Sequence, residues 1–239
     1  NTSANLKTWA QQRSQQTDNA AVLDYWRNAL AQSEPLGNRA AQPGQVVVDQ
    51  WMLQPDELLL LQRWCDARRV SITNYLRSLY ALALQHCHYH DNRVVLIDAM
   101  AGRGGALDDA IGCFFQFVPF VQQTGTGVHT FSELLQANRL WRKNMGDACY
   151  LSMLERRQFL NPNALEFQFN FRLSSVTDSF EFDGHSLRTM AMQPDNAGTV
   201  KLLVTPQDDR LQVRFSYREN DFAGFDLLKR MQQVHRQIM

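Results

Sequence analysis

The densest run of ligand-type side chains is His86-Cys87-His88-Tyr89-His90-Asp91. His86 and His90, four residues apart, would share a helical face at the spacing that zinc-binding helices use. No glutamate stands between them to act as a base, His88 would point to another face, and a helix C-terminus favours His through its dipole. The cluster therefore reads as a solvated helix end, and no metal site is assigned. The second run is Ala101-Gly102-Arg103-Gly104-Gly105. Neither GxGxxG nor GxxxxGK[ST] is present, so a tight turn fits it better than a nucleotide cradle. In such a turn the planar guanidinium of Arg103 can tie loop to core by pairing with a carboxylate. There is no GxSxG, and no Ser, His and Asp are spaced to argue a triad. Asp183-Gly184-His185 has the composition of a turn between strands. No catalytic residue is assigned to this chain.

Composition narrows the class further. The 24 Lys and Arg residues balance 24 Asp and Glu, giving a formal net charge of zero. Lysine occurs only at Lys7, Lys143, Lys201 and Lys229. Clustered cations, which nucleic acid or an anionic membrane would require, are not evident, and neither partner is expected. A hydrophobic share of 44% can fill a core, and 239 residues fit a single domain spanning 1–239. The longest apolar runs are Leu58 to Leu61 and Cys113 to Val121, the second broken by Gln116 and Pro119. Both fall short of the ~20 residues a membrane-spanning helix needs. The N-terminus carries no signal-peptide pattern and does not start with Met, so the expectation is a fragment or processed chain. Cys65, Cys87, Cys113 and Cys149 are far apart in apolar segments, the usage of free thiols in a reducing compartment, which points to the cytoplasm.

Periodicity supplies the elements that would position any site. Helical spacing runs from Asn19 to Ala31, from Pro55 to Arg68, from Ile72 to about His88, from Thr130 or Ser132 to Met145, and from Phe225 to Ile238. The third of these, capped by Ser71, is apolar on more than one face and should be the core helix. Strand character marks Gln45 to Leu53, Arg93 to Met100 and Cys113 to Val121. Leu165 to Arg172, Ser179 to Phe182, Val200 to Thr205 and Leu211 to Tyr217 follow, and read as a meander. Arg93 to Met100 is rich in β-branched residues and continuous rather than alternating, as a central buried strand would be. The expected class is α/β (α+β), with a single mixed, mostly antiparallel sheet covered by helices.

The order of these segments resembles the C-terminal lobe of nonribosomal peptide synthetase condensation domains, members of the chloramphenicol-acetyltransferase-like acyltransferases. Leu6 to Arg13 resembles the stretch that opens that lobe, and Tyr25-Trp26-Arg27-Asn28-Ala29-Leu30 its "YW…L" helix. Ser71 to Leu84 is similar to the long buried helix, and Val94 to Met100 to the strand after it. Ala101-Gly102-Arg103, followed by Ile111-Gly112-Cys113-Phe114-Phe115-Gln116, resembles the "GR…IG.F.N" segment. Asn163 to Arg172 and Leu211 to Phe225 fall where sheet strands and a closing helix occur. The sequence departs from the family at Gln116, where Asn is usual, and at Val121, where Arg is usual. Around Cys149 to Arg157 it lacks the "PFE" expected there.

The resemblance implies a chloramphenicol-acetyltransferase-like half-domain, one part of a two-lobed enzyme. In that enzyme, peptidyl or acyl carrier proteins deliver thioesters on 4'-phosphopantetheine arms into a tunnel where an amide bond forms. Partners would be those carriers, the N-terminal condensation lobe and neighbouring synthetase domains, with no cofactor bound directly. The family's HHxxxDG belongs to the N-terminal lobe, and none of the six His here sits in such a motif, so the chain alone is expected to be inactive. Gly102, Arg103, Gly112 and Gln116 are the expected tunnel-lining or structural positions, Arg103 as a tie and Gln116 as a polar group on the wall. Two alternatives stand beside this one. One is a noncatalytic condensation-like platform that recruits a carrier protein or tailoring enzyme; the other is a lobe of an epimerization or ester-forming acyltransferase domain.

Overall fold

The computed structural model describes residues 20–30, 40–42, 44–88, 93–101, 115–123, 130–145, 165–172, 179–182, 185–188, 199–222 and 226–239, with isolated positions 7 and 11. In chain order the elements are α1 (Ala20–Leu30), β1 (Val46–Leu53), α2 (Pro55–Ala67), α3 (Ile72–His88), β2 (Arg93–Ala101) and β3 (Phe115–Gln123). They continue with α4 (Phe131–Met145), β4 (Glu166–Phe171), β5 (Ser179–Phe182), β6 (His185–Arg188), β7 (Thr199–Gln207), β8 (Arg210–Arg218) and α5 (Leu227–Ile238).

Six strands form one sheet in the order β1-β8-β7-β4-β2-β3. The pairs β1/β8, β7/β8 and β2/β3 are antiparallel, while β4 runs parallel to both β2 and β7. The sheet is therefore mixed and mostly antiparallel, as expected. The C-terminal strands are not a meander, however. β4 pairs with β7, and β5 with β6 makes a separate two-stranded ribbon. A parallel neighbour requires a long crossover, and the 27 positions from 172 to 198 supply it. β3 lies at the sheet edge, where Pro119, which cannot donate to a ladder, is tolerated.

One face of the sheet holds the core. Because successive residues alternate sides, the registers place Trp51, Val213, Val204, Leu202, Phe169, Leu96 and Phe120 on a common face, all buried. Gln168 and Lys201, one residue out of step, are only half buried on the opposite side. Against the core face lies α3, with Tyr75, Leu76, Leu79, Tyr80 and Leu84 at zero exposure. It touches α2, α4, α5 and β2, which explains why its apolar residues encircle it. No described helix is long and apolar enough to cross a membrane.

Local chemistry sets the helix ends. Thr130, rather than Ser132, caps α4: its Oγ1 accepts from the Glu133 amide at 3.2 Å and its own amide donates to Glu133 Oε2 at 2.9 Å. α5 begins at Leu227, two residues later than periodicity suggests, because Asp226 Oδ1 accepts from the Lys229 amide. α2 closes in a Schellman turn, with Arg69 N–H donating to Asp66 O and Val70 N–H to Cys65 O. Arg69 holds φ at 55°, left-handed backbone that glycine adopts freely and that costs an L-residue about 1–2 kcal/mol.

Candidate functional site

Of the tunnel-lining or structural positions singled out by sequence, Gln116 alone falls among the described residues. Gln116 stands in β3 opposite Met100, beside the terminal pair Ala101 and Phe115. Gly102, Arg103 and Gly112 lie outside the described residues, as do Leu6, Thr8 to Ala10 and the segment from Cys149 to Arg157. His86 sits at the exposed end of α3, where its Nδ1 bonds the Leu82 carbonyl at 2.8 Å; His90 lies outside the described residues.

Between α3, α4 and the sheet lies a polar network that sequence reading passed over. Arg77 projects from α3 and is 2% exposed. Its Nη1 donates to Asp98 Oδ2 of β2 at 2.5 Å, its Nη2 donates to Asn74 Oδ1 at 2.7 Å, and its Cζ lies 4.0 Å from the centroid of the Phe120 ring. Arg142 of α4 reaches the same Asp98 oxygen at 3.0 Å. Burial pushes the Arg77 guanidinium down and the Asp98 charge pushes it back up. One turn back along α4, Asn138 donates to Ser78 Oγ of α3 and to Gln122 Oε1 of β3, both at 2.8 Å. Arg77 Nε is buried without a partner among the described residues.

This network has a sequence signal. Arg77 is the lone Lys, Arg, Asp or Glu in a helix buried on several sides, and Asp98 the lone charge within VVLIDAM. Two isolated opposite charges in adjoining core elements call for each other, since a lone buried charge is prohibitive.

Above Arg77 opens a cleft of about 540 Å³, lined by Arg69, Arg77, Arg139, Arg142, Lys143 and the first turn of α3 at Ser71 and Thr73. No carboxylate lines it among the described residues. Arg139 Nη1 donates to the Arg69 carbonyl at 3.3 Å, holding α4 to the turn after α2.

On the opposite flank of α3, Tyr75 Oη lies 2.9 Å from His235 Nδ1 of α5. Trp51 and Tyr75 contact the His235 ring edge-on. Burial lowers the His235 pKa most, with Glu57 opposing and Arg236 assisting. Burial likewise raises that of Tyr75, with Cys65 assisting. A folded-state value below the unfolded ~6.5 means that the unfolded chain takes up a proton first as pH falls. Stability from this site is thus complete above about pH 6.5 and declines below it. We expect the urea midpoint to fall between about pH 7.5 and about 5.5, and His235→Gln to flatten that slope. Cys65, nearby in α2, is a free buried thiol with its pKa pushed up to about 12 by burial and by Asp66, values that make it unreactive.

The family model for the condensation domain matches residues 4–239. No curated protein sequence matches. Among solved structures, the first condensation domain of the CDA synthetase superposes with a TM-score of 0.69 at 15% identity, covering 96% of this chain and 52% of that one. The epimerization domain from the third module of tyrocidine synthetase B gives 0.66 at 15%, covering 97% and 57%. The starter condensation domain of rhizomide synthetase gives 0.65 at 21%, covering 95% and 51%. At these identities the likeness is one of fold, and the chain spans about half the length of these three.

Proposed function

The chain belongs to the condensation-domain family, and on that premise we propose that it is the C-terminal lobe of a nonribosomal peptide synthetase condensation domain. The observation that carries this reading is coverage: the family match takes in nearly the whole chain, yet the chain accounts for only 52% of a condensation domain of like fold. In this role the lobe forms one wall of the tunnel that receives two carrier-borne thioesters. The acceptor amine attacks the donor thioester carbonyl, a C–N bond forms, the C–S bond breaks, and the departing thiol keeps the proton that the amine loses. Moving that proton requires a His within hydrogen-bond reach, which the HHxxxDG of an upstream lobe would supply.

This chain's part would be to confine and orient. Gln116 would present a polar group to the tunnel, Arg103 would tie the β2–β3 connection to the core, and Gly102 and Gly112 would shape its turns. The 4'-phosphopantetheine arms would arrive with their carrier proteins. Reading the coding sequence upstream of Asn1 tests the assignment. An in-frame HHxxxDG supports it; its absence favours a noncatalytic platform that recruits carriers.

A further inference from the structure

We propose that the cleft between the first turn of α3 and the face of α4 is a binding site for the phosphate of a small phosphate ester. Three independent features converge there. First, five of its nine lining residues are cationic and none is acidic, in a chain whose net charge is zero. Arg69, Arg139 and Lys143 are exposed at the mouth, and Arg142 bridges from the mouth to Asp98 below the floor. Second, the floor is Arg77, 2% exposed, whose Nε has no partner among the described residues while Nη1 and Nη2 are spent on Asp98 and Asn74. The guanidinium thus keeps one N–H unspent beneath the cleft while its charge, held in place by Asp98 and Asn74, adds to the positive field of the floor. Third, the positive end of the 17-residue α3 opens into the same space at Ser71 and Thr73.

The chemistry selects the ligand class. Guanidinium forks match phosphate oxygens bidentately, and a lysine adds a mobile point charge. A volume of about 540 Å³ exceeds what a bare anion fills and leaves room for an organic tail. Arg69 adds to the case: it keeps a cation at the mouth in left-handed backbone, where glycine would be the relaxed choice. The cleft holds its charge whether or not the chain serves as a condensation lobe, so the failure of either reading leaves the other standing.

Calorimetric titration of the whole chain with phenyl phosphate, and with phenol as the uncharged comparator, is the test. We expect saturable one-to-one binding of phenyl phosphate that weakens with added salt, and none of phenol. Arg139→Gln with Lys143→Gln should weaken binding about tenfold or more, the loss of two charge-assisted contacts, while the urea midpoint falls only by the loss of the one exposed Arg139 contact to the Arg69 carbonyl. Arg139→Lys with Lys143→Arg, which keeps the charge, should retain most of it. No saturable binding of phenyl phosphate, equal affinity in the Gln pair, or equal binding of phenol would each overturn the proposal.

Discussion

Asp98→Ala should be among the most damaging single substitutions in the described structure, lowering unfolding free energy by about 3–5 kcal/mol, because it leaves the Arg77 guanidinium charged, desolvated and unpaired. Arg77→Met should cost less. It removes one partner of Asp98 but leaves Arg142, whose side chain is 35% exposed and can still reach the carboxylate. The double variant Arg77→Met with Asp98→Val replaces the pair by apolar groups that suit the neighbouring Phe120 ring. Such exchanges are often neutral or stabilising by about 1–4 kcal/mol. Urea titration of all three variants gives the coupling directly. The expected pattern is a large loss for Asp98→Ala, a smaller one for Arg77→Met, and recovery in the double variant. Additive losses would mean that the two side chains do not depend on each other.

Phe169→Ala should be comparably severe, at about 3–5 kcal/mol, whereas Gln168→Ala beside it should stay within about 0.5 kcal/mol. The contrast follows from register. Phe169 is fully buried on the core face between Asp98 of β2 and Leu202 of β7, and Gln168 points to the other side, opposite Ile97 and Lys201. A one-residue slip of β4 would exchange the two costs. Urea midpoints of both variants therefore test the parallel β2-β4-β7 core as well as the burial of one ring. Equal costs at the two positions would contradict the register.

Much of this architecture is legible in the sequence. The continuous run from Val94 to Ala99 announces an interior strand, and the all-round apolar surface of Ile72 to Leu84 announces the helix that four other elements enclose. Gly, Asn and Asp mark the boundaries of the later strands. Their pairing is not legible, since local pattern gives a strand its faces but not its neighbours. The parallel β4/β7 pair depends on a crossover whose path no periodicity encodes. His185 shows the same limit: as part of a Gly-containing turn it suggests a strand boundary, and it proves to be the first residue of β6, paired with Phe182. The polar network was hidden for another reason. Arg77 and Asp98 are 21 positions apart; each stands out as a lone charge in a core element, but their pairing becomes visible only when helix and strand are laid together. The family resemblance rested on segment order, which the match over residues 4–239 bears out, while the residues that would line a tunnel lie mostly outside the described chain.

The most direct test of the account is a condensation assay with two loaded carrier proteins, following product by mass. It would compare this chain alone with a polypeptide that adds the upstream lobe. The account predicts amide product only from the two-lobed polypeptide, with His→Ala in its HHxxxDG abolishing it. Product from this chain alone, or none from the two-lobed polypeptide while it still binds both carriers, would contradict it.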